Sequence, residues 1–254
     1  MLTYPSGIDL SSSTLRYLSG LLAARRREHG TRWRRLAADR QALLVLAHLR
    51  CGHTYAQLAA GFGIGLATVY RYIVEAVEVL AALAPTLQQA MTVAACKAYV
   101  ILDGTLLSID RIAADRPYYS GKHKRHGMNV QVIADASGRL LWASPALPGV
   151  VHDIKAARTH GIIEALTEAD VRTWADKGYQ GALGTTRVPY RGRWSTLPTG
   201  MRAVNSSHAR IRAVGEQANA TLKSWRLLRK LRCSTTRITD IVKGVLALHL
   251  APSA

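Results

Sequence analysis

Asp103 and Asp176 stand at matching places in two separate stretches of this chain. The first follows the apolar run "AYVIL" and precedes Gly-Thr; the second closes "VRTWAD" ahead of Lys-Gly. An acid that closes an apolar strand is expensive to bury unless metal or hydrogen bonds compensate it. Carboxylates from separate elements suit magnesium-dependent phosphodiester chemistry. Mg2+ prefers hard oxygen ligands, and two ions about 4 Å apart activate the attacking oxygen and absorb charge at phosphorus. The bland alternative is a turn, with Asp103 opening onto Gly104 and Asp176 onto Gly178. Local sequence leaves both readings open.

A third acid stands alone. Between Lys177 and Thr239 there are thirteen Lys and Arg residues and one carboxylate, Glu216. At about 100° per residue, Ile211, Val214, Ala218, Leu222 and Trp225 form one apolar stripe, and Arg212, Glu216 and Lys223 share a narrow arc away from it. That is either a surface Arg–Glu pair worth about 0.3 kcal/mol or a carboxylate presented between two cations. Asp153, in "PGVVHDIKAAR", is explained by helix capping, with His152 as a second polar group. Asp110 falls on the polar side of a continuing strand and Asp135 in a hairpin turn. Glu164, Glu168 and Asp170 read as surface around a helix end.

The elements that must position these acids are legible in outline. "AYVILDGTLLSI" is β-rich, and "MNVQVIADASGRLLWASPAL" reads as a hairpin around "DASG". "HDIKAARTHGIIEAL" is helical in period, "VRTWAD" is a short strand, and residues 205–231 form a long helix. That order predicts a mixed sheet flanked by helices, an α/β domain. Before it, residues 10–50 are Arg-rich and helical with a break at Gly30, and "APTLQQAMTVAAC" reads as a linker after Pro85. The boundary is placed near residue 92, giving domains 1–92 and 93–254.

In the first of these, Ala59, Gly63 and Val69 fit the spacing of a helix-turn-helix within about residues 40–84, with Thr54 as N-cap. The second helix would begin near Leu66 and present Ala67, Thr68, Tyr70 and Arg71 where a recognition helix meets base edges and phosphates. A plain helical hairpin uses the same small residues. The basic residues Arg25–Arg27, Arg32, Arg34, Arg35 and Arg40 favour the DNA reading.

Composition agrees. The chain has 254 residues, a net charge of +18 and a pI near 10.5, the balance of a nucleic-acid partner. With one Phe and scattered Trp there is no basic amphipathic helix for a membrane surface. The longest charge-free stretch, Val79–Cys96, carries Pro85 and several polar residues and spans nothing. No secretory signal opens the chain. Cys51, Cys96 and Cys233 have no metal spacing and read as reduced thiols of a cytoplasmic protein.

Five ordered blocks, "ILDGT", "YYSGKHKRHGMNVQVIAD", "PGVVHD", "WADKGYQGA" and "NSSHARIRAVGEQANATLKSWRLL", resemble the DDE-type transposases of bacterial insertion sequences. The relatives are those sharing a nuclease domain with Harbinger-like elements. The resemblance implies an RNase H-like catalytic domain behind an all-α helix-turn-helix domain. Its two Asp and one Glu would bind Mg2+, with Mn2+ as substitute, and fall on Asp103, Asp176 and Glu216. Related families carry Tyr, Arg, Glu and Lys at fixed spacing; Arg212, Glu216 and Lys223 fit, while Ala209 stands at the Tyr position next to His208. Asp153 matches the family's His-Asp pair as an alternative metal ligand. Lys122, His123, Lys124, Arg125 and His126 match its basic block, which would contact phosphate.

The implied partners are double-stranded DNA, both element ends and target, with a homo-oligomer assembled on DNA in the bacterial cytoplasm and nucleoid. The implied activity is binding of terminal inverted repeats, strand cleavage and strand transfer. Two competitors remain: a transposase-derived DNA-binding protein with a silent nuclease, and a general repair or recombination nuclease of the same fold.

Overall fold

The computed structural model describes residues 8–31, 33–110 and 116–251, so Arg32 lies outside the described residues. Two compact units emerge. One comprises residues 1–84, 223–230 and 240–254, the other residues 85–222 and 231–239. The cut expected near residue 92 falls inside a helix of the second unit, and the last helix contributes to the first.

The first unit opens with α1 (Ser12–Glu28), whose N-cap Ser11 accepts from the Thr14 amide and whose last turn carries Arg25, Arg26 and Arg27. Cations there face the negative end of the helix dipole. Helix α2 (Ala38–Cys51) is stopped by Gly52 in the left-handed conformation. Helix α3 (Tyr55–Phe62) begins with the expected Thr54 cap, extended into a capping box by Gln57. A turn through Gly63, at φ 66°, leads to α4 (Leu66–Ala82), which starts where the helix-turn-helix spacing predicts. Leu18, Leu22, Leu44, Leu49, Leu58, Val69 and Leu80 fill the core.

Several of the arginines read as DNA-facing are occupied within this unit. Arg34 pairs with Glu75 at 2.8 Å, Arg26 donates to Leu36 O and Gln41 Oε1, and Arg40 lies over the Phe62 ring.

The second unit starts with α5 (Leu87–Ala95), where a linker was expected. Thr86 and Gln89 form a capping box and Ala90, Met91 and Ala94 are buried, so a short amphipathic helix gains enough packing to form despite its weak period. Strand β1 (Val100–Ser108) is the centre of the sheet. It pairs antiparallel with β3 (Arg125–Asp135) and parallel with β6 (Thr173–Ala175), which pairs parallel with β7 (Thr186–Arg187). Short strands β2 (Tyr119–Ser120), β4 (Leu140–Ala143) and β5 (Leu147–Pro148) all pair with β3. The β3–β4 hairpin is the one expected around Asp135, whose Oδ1 accepts from Ser137 N and Arg139 N and closes the turn.

Helices α6 (Asp153–Thr159) and α7 (Ile162–Glu168) replace the single predicted helix, parted by Gly161 at φ 66°. The long helix expected over 205–231 starts earlier and breaks. It becomes α8 (Thr199–Ala213) and α9 (Gly215–Ser224), followed by a 3-10 turn at Arg226–Arg229, and α10 (Ile238–Leu250) ends the described chain. Close approach explains the break. A Cβ on Gly215 would lie 2.7 Å from Ile101 Cγ2, and one on Gly138 would lie 2.6 Å from Val214 O. The junction is wedged between β1 and the hairpin turn. The outcome is the mixed, helix-flanked sheet of an RNase H-like domain.

Candidate active site

Asp103 and Asp176 are brought together by the parallel pairing of β1 with β6. The last register pair is Leu102 with Ala175, so each acid is the next residue along its chain, Asp103 still within β1 and Asp176 just past β6. Strand β1 itself does not end at Asp103, as its sequence suggested. It continues to Ser108 along β3, and what stops there is its pairing with β6. The opening between the two strands is the kind of crevice in which sheet-borne sites form.

Each carboxylate is held. Asp103 Oδ1 accepts from the Gly104 amide at 3.0 Å and Oδ2 from Asn219 Nδ2 at 2.8 Å. Asp176 Oδ1 accepts from the Gly178 amide at 2.8 Å. The turn reading holds for Asp176, whose carboxylate caps the 3-10 turn Lys177–Tyr179, and fails for Asp103, which lies within β1.

Asp153 joins them. It is the first residue of α6, not its cap, and its buried carboxylate takes no capping bond. Oδ1 instead accepts from Asn129 Nδ2 and Oδ2 from Lys122 Nζ, both at 2.9 Å. The same ammonium lies 3.7 Å from Asp176 Oδ2. Lys122, expected to contact DNA phosphate, bridges these two acids with its side chain half exposed, and Lys124 and Arg125 are exposed as well. Burial works against the Lys122 charge, but Asp153, then Asp176 and Asp103, override it and raise its pKa above the usual range.

Glu216 opens α9 and is exposed. The surface Arg212–Glu216 pair, the bland alternative that helical spacing left open, is not the ion pair formed. Arg212 Nη2 reaches Asp103 Oδ1 at 3.6 Å, because the break at Val214 interrupts the one-turn spacing between positions 212 and 216. Lys223 lies in the last turn of α9. Ala209 is exposed; its neighbour His208 is buried and donates from Nε2 to Ala175 O at 2.8 Å, fixing α8 against the strand that delivers Asp176. Burial lowers the His208 pKa, and the bond to Ala175 O works against that shift.

Among the described residues, no three acidic, His or Cys side chains converge as a ready-made metal cage. The chemistry of the donor set fits a divalent cation all the same. Burial pushes Asp103 up to about 6; Arg212 opposes this, and the negative charges of Asp176 and Glu216 add to it. A cation beside Asp103 would offset the cost of its ionised form.

Behind the acids runs a buried polar chain that sequence reasoning missed. Tyr179 OH donates to Gln131 Oε1, Gln131 Nε2 donates to Asn129 Oδ1 at 2.7 Å, and Asn129 holds Asp153. Burial, with Asp153, Asp103 and Asp176 nearby, raises the Tyr179 hydroxyl well above its ordinary pKa, which keeps it a donor. A signal was present in "MNVQVIAD": polar residues two apart in an apolar strand share one face.

Fold and site together define a nuclease-type domain with carboxylates at a strand-end crevice, preceded by a helix-turn-helix unit. Residues 102–249 match the family "DDE superfamily endonuclease", and residues 34–86 match "Helix-turn-helix of DDE superfamily endonuclease". The chain is 31% identical over 217 residues to the "Putative transposase for insertion sequence element IS112" of Streptomyces albus G. That similarity covers 84% of this chain and 80% of the relative. No solved structure matches. The chain belongs to the DDE superfamily endonucleases, as a DDE-type insertion-sequence transposase with an N-terminal helix-turn-helix. This family uses divalent metal ions. None of the helices among the described residues is long and apolar enough to cross a membrane.

Proposed function

We propose that this chain binds the terminal inverted repeats of its own element through residues of about 40–84. Its second unit would nick the ends and join the freed 3′-hydroxyl to target DNA. The observation that carries the reading is that Asp103, in β1, and Asp176, just past the end of β6, each follow the last paired residues of the two parallel strands, with the Glu216 charge acting on Asp103. Asp103, Asp176 and Glu216 are the residues we assign to Mg2+, or Mn2+ in its place, with Asp153 as a further ligand or as the group that orients Asp176 through Lys122.

When bound, the metal supplies activation of the attacking oxygen and neutralisation of charge on the phosphate. The protein supplies the rest. Asn219 and Gly104 fix the two oxygens of Asp103, and Gly178 fixes one of Asp176, so their remaining lone pairs point in set directions. Arg212 and Lys223 steady phosphate near the scissile bond. Lys122 is in place to exchange its carboxylate partners for a phosphate when DNA arrives, while Lys124 and Arg125 meet the backbone at the exposed turn. Thr68, Tyr70 and Arg71, near the start of α4, read the ends. Tyr70 and Arg71 are exposed and Arg71 donates to Ala67 O and Thr68 Oγ1. Assembly on two ends as a homo-oligomer in the bacterial cytoplasm and nucleoid completes the scheme.

The test is nicking of a duplex bearing the element end, with Mg2+ or Mn2+. Asp103→Ala, Asp176→Ala and Glu216→Ala should each abolish cleavage and leave end binding intact. Cleavage that survives all three removes the site assignment. Binding without cleavage by the parent protein in both metals points to a silent nuclease, and cleavage indifferent to end sequence to a general nuclease.

A further inference from the structure

A cleft of about 620 Å³ opens beside the carboxylates, lined by His152, Ile154, Lys177, Gly178, Arg191 and Arg193 among others. Apart from Gly178, none of these residues has a part in the scheme above. The cleft borders the acids directly: Gly178 donates to Asp176, and a Cβ placed on it would lie 3.0 Å from Asp153 Oδ2. His152 and Lys177 are the chain neighbours of Asp153 and Asp176.

One wall is formed by Arg191, Gly192 and Arg193, the middle of the segment "YRGRW", residues 190–194, between β7 and α8, with Tyr190 and Trp194 at its edges. Its backbone is tied down on several sides. Gln180 Nε2 donates to Pro189 O at 2.6 Å, and Tyr190 N and O both bond the Asn205 side chain. Lys177 Nζ reaches Gly192 O at 3.4 Å, and the Thr196 and Leu197 amides donate to Arg193 O. What the loop leaves exposed is its side chains. Arg191 and Arg193 are exposed, and no carboxylate among the described residues pairs with either. Tyr190 and Trp194, flanking them, are 46% and 59% exposed.

A fixed loop with two arginines between two exposed aromatic residues matches the requirements of an unpaired nucleic-acid strand. Cations follow the phosphates and aromatic faces receive bases, which a paired duplex keeps stacked on one another. Resting on the transposase reading of the neighbouring acids, we propose that this cleft binds an unpaired stretch of DNA leading up to Asp153 and Asp176. Lys177, Arg191 and Arg193 take its phosphates and Trp194 stacks on a base.

The test uses the full chain carrying Asp103→Asn, so that bound DNA stays intact, and a fluorescein-labelled oligothymidylate of about 12 nucleotides. Fluorescence anisotropy is measured across a salt series. Replacing Arg191 and Arg193 together by Ser should weaken binding about tenfold and lower the log–log salt slope by about 1.4, the share of two single-strand phosphates. Trp194→Ala should weaken it by a similar factor with the slope unchanged. Arg191→Lys with Arg193→Lys should restore the slope, which separates charge from misfolding.

Unchanged oligothymidylate affinity in the Ser and Trp194→Ala variants overturns the proposal, and so does a loss confined to duplex DNA. The neighbouring reading is scored separately, by cleavage of an end-bearing duplex by the parent chain. Cleavage with unaltered oligonucleotide binding in the variants sinks the cleft alone. Lost binding in the variants of a parent that cuts nothing supports the cleft and sinks the transposase reading.

Discussion

Gly104 makes room for Asp153. A Cβ at position 104 would come within 2.2 Å of Asp153 Oδ1 and 3.1 Å of Gln131 Nε2. The Asp153 carboxylate cannot swing away freely, because Asn129 and Lys122 hold both its oxygens. Gly104→Ala should therefore expel Asp153 from its slot, costing about 1–3 kcal/mol by overpacking and most of the cleavage activity. Gly200→Ala, with nothing within 4 Å of the added carbon, is the control and should leave thermal melting and nicking as they are.

The crowding of Asp103 makes stability depend on pH in a stated direction. Its folded pKa of about 6 lies above the ordinary value of 3.8, from burial first, with Arg212 opposing and Asp176 and Glu216 adding repulsion. The folded state then holds the proton more tightly than the unfolded chain, so metal-free stability falls as pH rises from about 4 to about 6. At 1.36 kcal/mol per unit the loss is about 3 kcal/mol. Asp103→Asn should flatten that fall and raise the midpoint of urea unfolding in chelator at pH 7, with no gain at pH 4. A variant less stable than the parent at pH 7 would contradict the repulsion on which the metal assignment leans.

Lys122 competes with a divalent cation for Asp153 and Asp176, since its ammonium already lies 2.9 Å and 3.7 Å from them. Lys122→Met should tighten Mn2+ binding to the DNA-free protein several-fold in a calorimetric titration. The electrostatic gain is modest because the side chain is half exposed and screened. Nicking should fall in the same variant, because the amine is lost from the phosphate path. Weaker Mn2+ binding would mean that Lys122 positions the acids instead of rivalling the ion.

In the first unit, Thr54→Ala removes the oxygen that accepts from the Gln57 amide and undoes the reciprocal box. The loss should be about 1 kcal/mol. It should weaken binding to duplex ends through the placement of α3 and leave the second unit's Mn2+ affinity unchanged. Equal loss of Mn2+ affinity would contradict the separation of the two tasks.

Strands were easier to read than helix ends. The runs flanking Asp103 and the hairpin at Asp135 alternate strongly or are wholly apolar, and they fold as β1, β3 and β4 where expected. Helix continuity failed where tertiary contact overrides period. Nothing in positions 205–231 announces that Ile101 and Gly138 press on the chain at Gly215 and Val214. Once the helix breaks there, the alternative of an Arg212–Glu216 surface pair goes with it, and Arg212 turns to Asp103. The acids themselves were legible because strand-borne carboxylates are costly. Their supports were not, since Asn219 meets Asp103 from 116 positions away in sequence, a contact with no local signal. The ion pairs of Lys122 were hidden for a related reason: nothing in a basic tract announces the acids that folding places beside it.

Tyr179 joins the strand-end turn carrying Asp176 to the strand that holds Asp153. Its side chain is fully buried, and its hydroxyl is the donor to Gln131, which in turn fixes Asn129. Tyr179→Phe keeps the ring and leaves Gln131 Oε1 buried without this donor, at a cost of about 1–3 kcal/mol. Freed of that bond, Gln131 loses its fixed orientation, and Asn129 is no longer compelled to present its amide to Asp153. The expected result is lower thermal stability together with several-fold weaker Mn2+ binding. Tyr119→Phe, on an exposed residue of β2, should change neither. Loss of stability with Mn2+ affinity intact would reduce the chain from Tyr179 to Asn129 to core packing and detach it from the acids.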